Sequence, residues 1–385
     1  MLYNIMWYVV FERRPFDLKS NALEQKLTFV GQKFRLTGDL YSITVLTDGN
    51  INKTYRMDYR LPGGTVKSYI TQQINPYVFR HPAEIMKNID LVTTHIRNKT
   101  GNSGTSLHFH HTADGKNYYV DEDDGSFWRL YTFIPAFSFK VSPSLDIMKN
   151  AGEAFGEFQM QLADFDASLL FETIPDFHNT KKRLDALFSH AESDPLGRAA
   201  SVKEEIDYLR EHYPVACELT EALDRGEIPL RVTHNDTKIN NVLFDAATHR
   251  ALTVIDLDTV MPGLAMHDFG DAVRFGASTA AEDEPDLSLV SLDLEKYRAF
   301  AEGFIGRTRA ALTKKELDTM ALGALTITLE LASRFLDDYL LGDKYFSVNY
   351  AGHNLVRARC QIALAKDMQK KYEKMCEIID TIAKE

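Results

Sequence analysis

The sequence predicts a two-lobed α+β fold: a small N-terminal lobe with a five-stranded antiparallel sheet and one helix, then a larger, mainly helical C-terminal lobe that carries a β-hairpin. Three observations predict it. Short runs of strand-like alternation fill the first third of the chain, whereas after Ser144 apolar residues recur at three- and four-residue intervals. A chain of 385 residues is too long for one small core, so two packed lobes are expected. The helical portion is interrupted by residues 241–255, which read as a hairpin.

Residues 21–30 suggest a helix closing an N-terminal extension, 1–30. The run 41–46 alternates as a strand and enters the loop 47–52, and 54–60 and 65–74 are strands on either side of the turn Leu61-Pro62-Gly63-Gly64. Residues 82–96 carry Ile85, Ile89, Val92 and Ile96 at helical spacing, with Pro82 suited to a first turn. The run 107–129 folds back through Ala113-Asp114-Gly115-Lys116, and 128–134 returns as the last strand, completing an N-lobe of 31–134. The stretch from Pro135 to Pro143 is the expected link, leaving 144–385 as the C-lobe. There, 147–162, 202–211, 294–305, 314–338 and 354–382 carry helical patterns.

A formal net charge of −11 and a sequence pI near 5.6 argue against nucleic acid or an anionic membrane as partner. Three cysteines, Cys217, Cys360 and Cys376, show no metal-type spacing and suit a reducing, cytoplasmic setting. The apolar patch Ile5 to Phe11 is too short to span a bilayer, and the Glu12-Arg13-Arg14-Pro15 that follows does not suit a cleaved leader.

The chemistry concentrates in Val232-Thr233-His234-Asn235-Asp236-Thr237-Lys238-Ile239-Asn240-Asn241 and, after a six-residue turn, Leu252-Thr253-Val254-Ile255-Asp256. Asn241 and Asp256 are equidistant from the point between Thr248 and His249 and should face each other across the hairpin, where two oxygen ligands would suit Mg²⁺. Asp236 can take a proton from an attacking hydroxyl, and Lys238 can reach a transferring phosphate as a point charge. His-x-Asp-x-x-x-x-Asn alone arises by chance in about 5% of chains this long, so the apolar strand ending in Asp256 is what gives it weight. Asp258, two residues on, would share a face with Asp256 if the strand continued and could help hold a second metal; a solvated turn carboxylate explains it equally well.

This segment resembles the catalytic core of the kinase-like phosphotransferases, which include aminoglycoside phosphotransferases, choline kinases and, more distantly, protein kinases. Residues 34–370 as a whole are most similar to the N-acetylhexosamine 1-kinase group. Motifs carry the likeness in order: Asp48-Gly49-Asn50-Ile51-Asn52-Lys53-Thr54-Tyr55, Tyr69-Ile70-Thr71-Gln72-Gln73-Ile74-Asn75, Trp128-Arg129-Leu130-Tyr131-Thr132-Phe133-Ile134, Asp176-Phe177-His178-Asn179-Thr180, His267-Asp268-Phe269-Gly270-Asp271-Ala272-Val273-Arg274 and Gly352-His353-Asn354-Leu355-Val356-Arg357-Ala358-Arg359. The resemblance implies a protein-kinase-like fold, ATP as co-substrate, Mg²⁺, and phosphorylation of the anomeric hydroxyl of N-acetylglucosamine or N-acetylgalactosamine by a monomer or weak homodimer. It implies catalytic roles for Asp236 and Lys238, metal ligation by Asn241 and Asp256, and structural roles for His234 and Asp268. Asn50 and Asn52 fall in its phosphate-covering loop, and the backbone of Thr132, Phe133 and Ile134 on the adenine.

One departure stands out. Where the superfamily's third strand usually carries a lysine or arginine, this chain has Gln72; Lys53 and Lys67 are near in sequence, and Glu84 and Asn88 both lie on the following helix. For the acceptor, Phe177, His178 and Arg183 together with Arg334 and Tyr339 mix polar groups with rings, as a sugar requires, though an ordinary polar helix surface gives the same composition. Arg357 and Arg359 are expected to pair with carboxylates. Two alternatives remain at this level: a kinase of an amino alcohol or aminoglycoside, and a nucleotide-binding module without turnover.

Overall fold

The computed structural model describes residues 18–46, 51–101 and 107–384, with side chains from residue 22 onward. Asp48, Gly49 and Asn50, and the stretch 1–17, lie outside the described residues. Two compact units meet in sequence between Phe137 and Ser138.

The first unit is built on α1 (Leu18–Lys33), β1 (Asp39–Leu46), β2 (Lys53–Arg60), β3 (Val66–Gln73), α2 (Pro82–Thr100), β4 (Tyr119–Val120) and β5 (Phe127–Thr132). Its strands form one sheet in the order β1-β2-β3-β5-β4, antiparallel throughout. Alternation along β2 turns Tyr55, Met57 and Tyr59 to one face. There they bury Leu27 and Val30 of α1 and Phe34 just beyond it, with Tyr69, Trp128 and Leu130. α1 thus belongs to the core of this unit rather than to an extension, because residues 23, 27, 30 and 34 form a single apolar stripe. The other face of β2 carries Thr54, Arg56 and Asp58. The chain reverses from α2 at Gly101, where φ is +74°.

The second unit contains α3 (Leu145–Gln161), α4 (Thr180–Ser193), α5 (Lys203–Glu211), α6 (Tyr213–Asp224), β6 (Arg231–Thr233), β7 (Val242–Phe244), β8 (Ala251–Val254), β9 (Met261–Gly263), α7 (Ala265–Gly276), α8 (Leu294–Thr308), α9 (Lys314–Asp318), α10 (Met320–Leu340) and α11 (His353–Lys384). The helical run expected over 314–338 breaks at Thr319, whose backbone is non-helical and whose N–H bonds back to Lys315. Of the two arginines expected to pair with carboxylates, Arg359 does so with Glu205 at 2.6 Å. Arg357 instead donates to the Ser347 carbonyl at 3.0 Å. Among the described residues no helix is long and apolar enough to cross a membrane.

Two glycines set the contact between α7 and α10. A Cβ on Gly270 of α7 would sit 2.3 Å from the Gly323 carbonyl oxygen of α10, and one on Gly323 would sit 2.1 Å from that of Met266. Backbone meets backbone there. Gly270→Ala or Gly323→Ala should therefore lower the thermal midpoint: the gain in helix propensity, about 1 kcal/mol, is outweighed by overpacking of about 1–3 kcal/mol. A midpoint raised by either change, followed by circular dichroism, would show that the helices are not in contact.

Candidate active site

The loop after β6 is held from beneath by the first turns of α7. Asp268 accepts the N–H of Asn235 at Oδ1, 2.8 Å, and at Oδ2 both the N–H of His234, 2.9 Å, and Gln159 Nε2, 2.7 Å. Burial pushes the Asp268 carboxyl upward, and the three donors oppose that shift. Asp271 accepts the Thr237 N–H at 2.9 Å. Burial would raise the Asp271 carboxyl too, but the charges of Arg274 and Lys238 hold it below the usual range.

Asn235 sits in the left-handed region at φ +62°, which asparagine tolerates, and its amide donates to the Thr259 carbonyl at 2.9 Å. His234 is buried against Phe155 and Phe158. Its Nε2 donates to the Ile255 carbonyl, 2.9 Å, and its Nδ1 accepts the Asp236 N–H, 3.3 Å, so its tautomer follows from its partners. His234 therefore ties the loop to the hairpin.

Asp236 emerges from this frame with a carboxylate engaged on both sides. Asn241 Nδ2 donates to Asp236 Oδ2 at 3.1 Å and to its carbonyl at 2.9 Å. Lys238 Nζ lies 2.7 Å from Oδ1, with the two side chains 26% and 36% exposed. Burial alone would lower the Lys238 ammonium; the negative charge of Asp236 lifts it above its ordinary value.

The hairpin departs from the expected register by one residue. Val242 pairs with Val254 and Leu243 with Thr253, but Phe244 pairs with Ala251: the turn is centred between Ala247 and Thr248, one residue earlier than expected, and an extra residue on β8 forms a bulge that recovers half of the difference. Asn241 consequently faces Ile255, whose N–H it accepts at 2.8 Å, and Asp256 is the next residue, in the left-handed region at φ +61°. Asp258 does not share its face, because the ladder ends at Val254 and Asp258 lies buried in the 3-10 turn Leu257–Thr259.

The second polar cluster centres on Glu330 of α10, whose side chain is 1% exposed. Oε1 accepts from His178 Nδ1 at 2.9 Å, Oε2 from Thr180 Oγ1 at 2.7 Å, and Arg334 Nη1 lies 3.9 Å from Oε1. His178 Nε2 lies 3.4 Å from the Asn235 carbonyl, which puts this cluster beside Asp236. The Arg334 guanidinium lies 5.1 Å from the Phe177 ring centre, 5.6 Å from Phe346 and 6.0 Å from Tyr345. Burial, and then the charge of Arg334, lower the Arg183 guanidinium nearby. Burial and the neighbouring His178 drive His267 down to about 3. Tyr339 does not join this group: five residues along the helix turn it about 140° from Arg334, and it lies under Arg198, 4.7 Å away.

Sequence reasoning missed Glu330, which sits inside an apolar helical pattern; an acidic residue in such a stripe was the available signal. It also missed Asp338, which accepts the N–H groups of Lys344, Tyr345 and Phe346 and so shapes the loop bearing two of the rings.

In the first unit, the backbone N–H groups of Thr132 and Phe133, in the segment expected to meet adenine, are engaged within the sheet. They donate to the carbonyls of His108, 3.0 Å, and Ser68, 3.1 Å, because the sheet extends this far. Asn52 Oδ1 accepts the Asn75 N–H at 3.0 Å, tying the end of its loop to the segment after β3.

A small antiparallel sheet unit followed by helices around a stapled loop and hairpin is the kinase-like α+β fold. The model of the phosphotransferase enzyme family, APH, matches residues 106–303, just over half of the chain, and the chain belongs to that family. Among solved structures it is similar to a microcompartment-associated aminopropanol kinase, with 18% identity, coverage of 92% of this chain and 98% of that one, and a TM-score of 0.58. An aminoglycoside phosphotransferase from Alicyclobacillus acidocaldarius matches at 12% identity, 96% and 98% coverage and a TM-score of 0.56. A choline/ethanolamine kinase family protein from Mesorhizobium loti matches at 14%, 94% and 100%, and 0.55. At these identities the likeness is one of fold.

Burial would raise the Glu330 carboxyl, but His178, by charge and hydrogen bond, and Arg334 hold it at about 2, below its ordinary 4.5. A carboxyl depressed on folding stabilises the native state above pH 4.5, by on the order of 3 kcal/mol, and that contribution is lost as pH falls towards 2. Urea unfolding of Glu330→Gln should thus show a large stability loss at pH 7 that narrows against wild type from pH 4.5 downward. A gap independent of pH would contradict the charged pairing.

Proposed function

We propose that the protein is an ATP-dependent, Mg²⁺-using kinase that phosphorylates the anomeric hydroxyl of an N-acetylhexosamine. Asp236 accepts the hydroxyl proton as the sugar oxygen attacks the γ-phosphorus in line; the new O–P bond forms as the bond to the bridging oxygen of ADP breaks. Lys238, paired with Asp236 without nucleotide, neutralises the transferring phosphate once it arrives and leaves Asp236 to act as base. Asn241 and Asp256 suit Mg²⁺: the Asn241 nitrogen is committed to Asp236, which leaves its oxygen for a cation, and a carboxylate follows one residue beyond its ladder partner. Bound there with the nucleotide, the metal would neutralise phosphate charge. Asp256 in a left-handed conformation fits such a role, since strained backbone concentrates at functional sites.

One observation supports a neutral acceptor over an amine. The aromatic cluster beside Asp236 already holds a cation, Arg334, and both oxygens of its carboxylate, Glu330, are engaged. A choline or aminoglycoside nitrogen would meet positive charge from Arg334 and Arg183 where it needs rings or carboxylates. A sugar offers hydroxyl and amide oxygens to the guanidinium and an apolar face to the rings.

The test is incubation with Mg-ATP and a panel of N-acetylglucosamine, N-acetylgalactosamine, choline, ethanolamine and aminoglycosides. A product phosphorus resonance coupled to an anomeric proton is expected; phosphate on an amine-bearing acceptor overturns the acceptor assignment, and nucleotide binding without any product leaves a binding module. Arg334→Ala should raise KM for the sugar by about tenfold or more while KM for ATP holds. Asp236→Asn should lower kcat by roughly 10² to 10⁴ with little change in ATP affinity, and Asp256→Ala should abolish turnover with the fold retained. Near-normal kcat in Asp236→Asn discards the base assignment alone.

A further inference from the structure

The kinase reading leaves the third strand without its usual cation, and the sheet itself offers a replacement. Side chains alternate along β3, so Gln72 shares a face with Ser68 and Ile70, while Lys67 lies on the face of Tyr69 and Thr71. Lys53 pairs with Gln73 rather than Gln72 and is exposed, so neither lysine lies on the Gln72 face. Directly opposite Gln72 on β5 stands Arg129, 2% exposed. Its Nε donates to Gln72 Oε1 at 2.8 Å, and Gln72 Nε2 in turn donates to Thr54 Oγ1 at 3.1 Å.

This chain of bonds has one possible sense. A guanidinium has no acceptor, so the Gln72 oxygen must face Arg129 and the nitrogen must face away from it. The amide cannot flip, and the half-buried Gln72 presents N–H groups only. The bond from a charged donor also polarises that amide, which makes its N–H a stronger partner for an anion. The face is polar and charged where the opposite face is apolar core, with Thr54, Arg56, Asp58 and Ser68 joined in the same layer.

We propose that Arg129 is a positioning residue for the nucleotide: held behind Gln72, it locks and polarises that amide as the donor to a phosphate oxygen of the nucleoside triphosphate, in place of a third-strand lysine. The inference rests on the kinase reading above. An amide backed by a buried guanidinium delivers directional hydrogen bonds to phosphate while keeping the full charge out of solvent.

The test measures Mg-ADP binding by calorimetry, with KM for ATP and for the acceptor, in wild type, Gln72→Met, Arg129→Met and the double variant. If the two act as one relay, each single change weakens Mg-ADP by about tenfold or more and the double adds little to either, with acceptor KM nearly constant. Losses that multiply, or Arg129→Met binding Mg-ADP as wild type does, overturn the relay. Gln72→Glu guards against a misfolded Arg129 variant: it keeps the contact to Arg129 but offers only acceptors outward, so it should weaken Mg-ADP at least as much as Gln72→Met, and undiminished binding refutes the proposal. Restoration of Mg-ADP affinity by Gln72→Lys in the Arg129→Met background is expected, whereas a purely structural arginine would not be rescued this way. Failure of wild type itself to bind Mg-ADP would remove the kinase reading, whereas wild-type binding with unaffected variants removes only the relay.

Discussion

The carboxylate of Asp268 is the constraint on which the active-site loop depends. It is buried, and three N–H donors converge on it from the loop and from α3. A buried charge is tolerated only when its hydrogen-bonding capacity is filled, so the loop has few ways to move without exposing it. His234 extends the same rigidity to the hairpin through Ile255, and Asn241 extends it back to Asp236. Asp236 therefore stands on a closed ring of polar contacts: α7, loop, hairpin, loop.

That ring explains which parts of the site were legible in the sequence. Asp236, Lys238 and Asn241 are close neighbours in the chain, and local spacing was enough to bring them together. Asp268 and Asp271, some thirty residues on, were visible only through resemblance, because no periodicity links a helix start to a loop it supports. The register of the hairpin was misjudged by one position: the turn lies one residue earlier than the point between Thr248 and His249, and a bulged residue on β8, which no count across a turn anticipates, makes up only part of the difference. Asp258 failed for a related reason, since alternation ends where the ladder ends. The sheet and the long helices could be read because their apolar periods are strong, whereas α4 and α6 went unread and α7 lay within the polar motif 267–274. Glu330 escaped notice because the partners that engage its two oxygens, His178 and Thr180, lie some 150 residues away in the chain.

The two polar clusters of the helical unit have opposite electrostatic logic. Around Asp236 the carboxylate is partly exposed, with its countercharge on a lysine whose side chain is more exposed still. Around Glu330 the carboxylate is buried and both its oxygens are engaged, while Arg334, also largely buried, keeps slightly more exposure than the carboxylate. An acidic protein, at −11 overall, thus places two arginines, Arg183 and Arg334, together in the cluster of the proposed acceptor site. Net charge and the charge of a site are separate quantities, and here they point in opposite directions.

The contact between Gly270 and Gly323 couples these clusters mechanically. α7 carries the carboxylates under the loop, α10 carries Glu330 and Arg334, and the two helices touch without side chains between them. No rotamer can absorb a displacement at such a junction, so neither helix can slide to admit a bulkier guest. On the proposed acceptor reading, altered selectivity would have to be written in residues 177, 334, 345 and 346 and the loop that Asp338 shapes, which makes that short rim the natural target for anyone seeking to redirect this scaffold to a new acceptor.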